Sequence, residues 1–189
     1  MMAALKEQLR DQSIRDIKVV NIAEAAGVTP AAFYQYFTGV EDAMLALADE
    51  MVIDARALTD LMTGDWQSNS EGLTLRAVEG FLSFWQRHEP VLRVIELGID
   101  EHDTRFNRVR MAMLNEPTLA LSFVIANFKA AGKQPEHVEP RALAAALVAV
   151  LVHVSSRLWL YEAWGLERGD LEAAMADILH TMVTRSNVE

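Results

Sequence analysis

Apolar residues recur along nearly the whole chain at intervals of three and four, the period of an amphipathic helix, and no stretch shows the alternation of a strand. Ala4, Leu5, Leu9 and Ile14 predict a helix within residues 1–16, broken near Ser13. Ile22, Ala23 and Ala26 predict a second helix from about Val19, closed by Gly27, a residue suited to the left-handed backbone between helices. Thr29 and Pro30 form a start signal. The hydroxyl can accept from the first turn, and the proline's missing N–H does no harm at the first helical position. Phe33 and Phe37, four apart, give this third helix one apolar face and leave Ala31, Ala32, Gln35 and Tyr36 pointing elsewhere. A helix this short, with no charge between Thr29 and Thr38, is marginal alone and needs its predecessor as a platform. That is the logic of a helix-turn-helix, whose second helix is presented to the major groove of DNA.

A longer helix is expected from about Val40 to Met62, opening on Glu41 and Asp42, where negative charge suits the helix dipole. The polar stretch 64–72 is the clear break. Helical patterns then fill 73–88, 90–99, 106–131, 140–164 and 171–184, with Pro90 starting one helix and Pro117 kinking or dividing another. The expected fold is all-α: a three-helix head in residues 1–42, and a larger helical domain in 43–189 entered by a connector helix at about 40–62.

Composition narrows the functional classes. The 189 residues are 51% hydrophobic and contain no cysteine, which removes disulfides and zinc–thiolate sites and fits a cytoplasmic protein. Residues 1–12 are amphipathic rather than signal-like, and the apolar run Ala142–Val152 is too short to span a bilayer, so no membrane partner is expected. Asp100, Glu101, His102 and Asp103 read as a solvated turn. Asp177 and His180 lack the further carboxylates of a di-metal bundle. With no phosphate loop or nucleophile motif either, no metal, cofactor or enzymatic activity is expected. The net charge of −10 works against a DNA partner: the first 50 residues carry four lysines and arginines against eight acidic residues.

Val19, Ile22, Ala23, Ala26, Gly27, Val28, Thr29, Phe33, Tyr34, Tyr36, Phe37, Glu41 and Leu45 together resemble the TetR family of bacterial transcriptional regulators. The match is an Ile-Ala-x-x-Ala-Gly-Val-Thr run, an aromatic cluster and an acidic opening of a long helix, over about the first quarter of the chain. The resemblance implies a homodimer whose heads bind operator DNA and whose bodies bind a small effector. Carried over residue by residue, Lys18, Thr29, Ala31, Ala32, Tyr34, Gln35 and Tyr36 fall on DNA-contacting positions. Gln35 is the candidate for a base edge, since an amide pairs bidentately with adenine. Lys18, Thr29 and Tyr34 are candidates for phosphate. The sequence departs from the pattern at Val20 and Val40, where the family often carries cations. An arginine-rich arm common in the family would have to precede Met1; otherwise DNA binding rests on fewer phosphate contacts.

In the body, Phe81, Phe84, Trp85, His88, Met111, Phe123, Asn127, His153 and Arg157 suggest an apolar effector site with few polar groups. Each alone is more often core, and His153 with Arg157 fits an interface pair at least as well. Leu147, Val150, Leu151, Val154 and Leu158, with Leu171, Ala174, Met175, Ile178 and Met182, suggest a two-helix surface that a second copy would complete. The expected function is a ligand-responsive repressor that binds operator DNA as a homodimer and is released by a small apolar effector. The alternative is a helical ligand-binding or adaptor protein with a degenerate head.

Overall fold

The computed structural model describes residues 1–184, so residues 185–189 at the end of the expected second domain lie outside it. Ten helices are present and no strand is found among the described residues. They divide into two compact units, Met1–Asp54 with His88–Met113, and Ala55–Arg87 with Leu114 onward.

The first unit begins with α1 (Met2–Asp11), α2 (Val19–Ala25), α3 (Pro30–Tyr34) and α4 (Val40–Asp54). Leu5 and Leu9 of α1, Ile22 and Ala23 of α2, Phe33 of α3 and Met44 and Ala48 of α4 are fully buried, which is why these short helices hold. Gly27 has φ +67°, and the two hydrogen bonds that close α2, Val28 N–H to Ala23 O and Gly27 N–H to Glu24 O, are those of a Schellman turn. Thr29 caps α3 by accepting from Ala32 N–H at 3.2 Å, with Pro30 at the first position. Asp42 reaches back to Thr38 N–H at 2.9 Å and so closes the start of α4.

The long helices depart from the expected divisions. α6 (Ser70–Asp100) runs unbroken through Pro90, which was expected to start a new helix. The reason lies in its apolar stripe: Phe81, Phe84, Trp85, His88, Val91, Leu92 and Ile95 stay in phase across the proline, so burial outweighs one lost hydrogen bond. α7 (Thr104–Ala130) likewise contains Pro117, and Thr118 donates its hydroxyl to Leu114 O at 2.7 Å in the same turn. By length and hydropathy alone α7 could cross a bilayer. Here it buries Phe106, Val109 and Met113 in the first unit and Leu121, Ile125 and Phe128 in the second. The connector, expected unbroken to Met62, is interrupted at Ala55 between α4 and α5 (Arg56–Asp60). The helix expected over 140–164 is likewise interrupted at Arg157 (φ −125°, ψ 19°), between α8 (Pro140–Ser156) and α9 (Leu158–Ala163). α10 (Arg168–Thr184) ends the described chain.

In the second unit, Trp66 is buried in the loop before α6 and donates its indole N–H to Met62 O at 2.9 Å. Gly80 lies so close to the Leu61 side chain that a Cβ would collide with it. Gln134 donates to Met182 O and Val183 O at 2.6 and 2.7 Å, satisfying carbonyls near the end of α10.

Candidate nucleic-acid interface

Burial sorts the head's side chains. Phe33 is fully buried and braced by Phe37 and Tyr34, with ring centroids 5.3 and 5.7 Å away. Thr29, Ala31, Tyr34, Gln35 and Tyr36 are exposed, Tyr34 by 60% and Tyr36 by 70%, and Ala32 is half-buried. Two aromatic residues this exposed do not contribute to the core, so the sequence-level choice between core and surface falls to surface for both. α3 itself ends at Tyr34, so Gln35 is its C-cap and Tyr36 lies in the closing turn. Thr29 Oγ1 accepts from the backbone, which leaves its O–H free to donate outward.

The charges around this surface are few and mostly engaged. Arg10 pairs with Glu7 at 3.3 Å and Arg15 with Glu101. Lys18 sits exposed at the N-cap of α2 and has no ion-pair partner among the described residues. Val20 is 51% exposed and Val40 half-buried, so neither position supplies a cation.

The corner between α6 and α7 belongs to the same compact unit, a feature the sequence did not signal. Arg105 bonds Glu41 at 3.0 Å, in the first turn of α4, and also Asp103. The Arg105 guanidinium holds the Asp103 carboxyl below its ordinary range, and the two carboxylates push the arginine's own pKa up. His102 takes φ +65° at this corner, while Gly98 lies so near the Phe106 ring that a side chain there would clash.

The residues expected to bind an effector separate. Phe81, Phe84 and Trp85 are buried together, Phe81 stacked on Trp85 at 6.3 Å and 11° and Phe84 tilted against it at 5.7 Å. The Trp85 indole N–H is buried and has no acceptor among the described residues. His88 is buried, with Nε2 3.5 Å from Asp54 Oδ2. Met111 (70% exposed), Phe123 (68% exposed), Asn127 and His153 lie on the surface, so they do not line an interior cavity of this chain. On α7 the inward positions are Leu121, Ser122, Ile125 and Phe128, which turns Phe123 and Asn127 outward. Arg157 is half-buried and donates to Ser156 Oγ at 2.9 Å. An open groove of about 360 Å³ in the first unit is lined by Arg10–Ile14, Arg93, Val94 and Leu97, and so by none of the expected effector residues.

The expected interface residues also divide. Leu147, Leu151, Leu158 and Met175 are buried within the unit and serve its core. Val150, Ala174, Ile178 and Met182 are exposed, and Val154 and Leu171 half-exposed. Trp159 and Trp164 are also exposed, each by 67%, although the sequence did not single them out.

A match over most of the chain decides the family. Residues 58–189 match the family model described as "Tetracyclin repressor-like, C-terminal domain". The chain belongs to the TetR family. Its fold agrees: a TetR-family regulator from Rhodococcus sp. superposes with a TM-score of 0.74 at 15% identity, covering 96% of each chain. FadR from Bacillus subtilis, in complex with stearoyl-CoA, gives 0.72 at 15% identity, again over 96% of each. SmeT, the repressor of the Stenotrophomonas maltophilia efflux pump SmeDEF, gives 0.69 at 14%, over 99% of this chain and 89% of that one. By sequence, the transcriptional regulator EthR of Mycobacterium tuberculosis is 29% identical over 94 residues, 49% of this chain. The match spans only 44% of that relative's length. At these identities the solved structures speak for the TetR fold alone.

Proposed function

We propose that this chain is a ligand-responsive transcriptional repressor that binds operator DNA as a homodimer and is released by a small apolar effector, working in the cytoplasm. The observation that carries the reading is the construction of the head: Phe33 is wholly internal, and Ala31, Tyr34, Gln35 and Tyr36 are all left outside on an uncharged surface. In this reading residues 1–42 contact DNA and 43–189 bind the effector and dimerise. Gln35 addresses an adenine edge. Thr29 and Tyr34 donate hydroxyls to phosphate, Lys18 adds charge, Tyr36 flanks them, and Ala31 and Ala32 are small enough to allow close approach. Phe81, Phe84 and Trp85 form one wall of the effector site, and the unsatisfied Trp85 N–H suits an effector with a hydrogen-bond acceptor.

For the dimer, Val150, Val154, Leu171, Ala174, Ile178 and Met182 meet their copies across a two-fold axis, through α8 and α10. Exposed Ala145, Ala146 and Ala149 on α8 let the helices approach closely, and the exposed tryptophans enlarge the apolar patch. Effector binding shifts the balance between a DNA-competent and an incompetent state.

The scarcity of free cations in the head favours a second reading, a ligand-binding or adaptor protein whose head no longer holds DNA. Fluorescence anisotropy with the full chain and the promoter region of its own gene separates the two. A repressor gives sequence-specific, salt-sensitive binding that Tyr34→Ala weakens at least about tenfold while the dimer persists in sedimentation. Absence of specific binding by the unsubstituted chain overturns it in favour of the second reading.

A further inference from the structure

We infer that the head reads thymine methyl groups, so that the base pairs it contacts in each half-site are A·T. The inference rests on the operator-binding reading above and adds the chemistry of the site that is bound. At about 100° per residue, Ala31 and Gln35 both point opposite the fully buried Phe33. Ala31 of α3 and its C-cap Gln35 therefore face away from the core, and both are exposed. Beside them lie exposed Pro30, Val28 at 37% exposure and the Tyr34 ring.

No residue from Val28 to Val40 is charged. The commonest specific contact in the major groove, an arginine or lysine on guanine O6 and N7, is therefore not available from this helix. Beside hydroxyls, of which those of Thr29 and Tyr34 are assigned to phosphate above, the surface offers one amide and a cluster of carbon. An amide pairs at two points with adenine, and alanine-sized carbon packs against the thymine C5 methyl. Ala31 and Gln35 stand about 6 Å apart along the helix axis. That is under two base steps of about 3.4 Å, so the two can address neighbouring pairs.

The remaining cations of residues 1–54 lie outside the reading helix. Arg10 and Arg15 are held by Glu7 and Glu101, leaving Lys6 and Lys18 without ion-pair partners among the described residues. Lys18 lies at the start of α2, and Lys6 is on α1, away from the reading helix in sequence. Discrimination then falls to the Gln35 amide and to apolar contact, and the methyl is the one apolar group that a base pair shows in the major groove.

The test uses the full chain and DNA selected by it from a random library. In the selected duplex, each contacted thymine is replaced by uracil, which removes the methyl and keeps the hydrogen-bonding pattern. Separately, guanines are replaced by 7-deazaguanine. Burying one methyl-sized group implies about fourfold weaker binding for each contacted thymine. Two such thymines in each of two half-sites imply roughly two orders of magnitude. The guanine replacement is expected to change affinity by less than about twofold. In Ala31→Gly, shown to be folded by circular dichroism, the thymine–uracil difference at one position should vanish. Equal affinity for the uracil duplex, or a large loss with 7-deazaguanine, overturns the inference and leaves the repressor reading standing. Failure to select any sequence removes both.

Discussion

Pro30 and Pro90 stand in the same chain and have opposite relations to their helices. Pro30 begins α3 behind the Thr29 cap, where a proline is at no disadvantage. Pro90 sits in the middle of the 31-residue α6, where it should stop a helix and does not. The difference lies in what else holds each element. α3 has five residues and one buried side chain, so local signals decide its ends. α6 buries a continuous stripe on both sides of its proline, and that burial overrides the local signal. The short α3 follows its punctuation; the long α6 follows its packing.

Substitutions can break or sharpen this contrast. The largest effect is expected from Phe33→Ala, which empties the one internal anchor of α3. It should cost about 3–5 kcal/mol in urea denaturation and abolish DNA binding with it. A loss below about 1 kcal/mol would mean that α3 is held by something other than Phe33. Pro90→Ala is expected to act in the opposite direction. It restores the missing backbone bond in a helix already fixed by packing, and should raise stability by about 1–3 kcal/mol. Pro30→Ala should stay within about 0.5 kcal/mol of the parent. Equal effects of the two proline changes would erase the contrast. Thr29→Ala is expected to cost about 1 kcal/mol through the missing cap, less than Phe33→Ala and more than Pro30→Ala. Its clearest sign should be faster hydrogen exchange at Ala32 N–H, the group that Thr29 Oγ1 receives.

The same contrast decides how much was legible in the sequence. The turn at Gly27, the Thr29 cap, the Pro30 start and the buried Phe33 are all local, and all stand where their residues indicated. The break at Ala55 and the break at Arg157 contain neither glycine nor proline, so nothing local marks them. The corner at His102 closes with the same two hydrogen bonds as Gly27, Asp103 N–H to Gly98 O and His102 N–H to Ile99 O. It places histidine where glycine is usual, and a histidine seldom announces a left-handed turn.

The body's sites were harder to read for a related reason. α8 is apolar on nearly every side, so periodicity could not say that Leu147 and Leu151 face inward while Val150 faces out. Phe81 and Phe123 look alike in sequence and end up fully buried and 68% exposed, because only the tertiary packing of α6 and α7 chooses the faces. In the head, by contrast, Phe33 and Phe37 leave the remaining side chains of so short a helix few alternatives.

In the proposed reading, the head is well formed and thinly anchored to phosphate. Its direct test is the salt dependence of operator affinity, measured by anisotropy with the full chain from low to physiological salt. With Lys6 and Lys18 as the cations of each head that have no ion-pair partner among the described residues, a dimer that neutralises about four phosphates gives a slope of log K against log salt of about −4. Specific binding with that shallow slope is the expected result. A slope of about −10, as for a protein with many cation–phosphate contacts, or no sequence-specific binding at any salt, would contradict it.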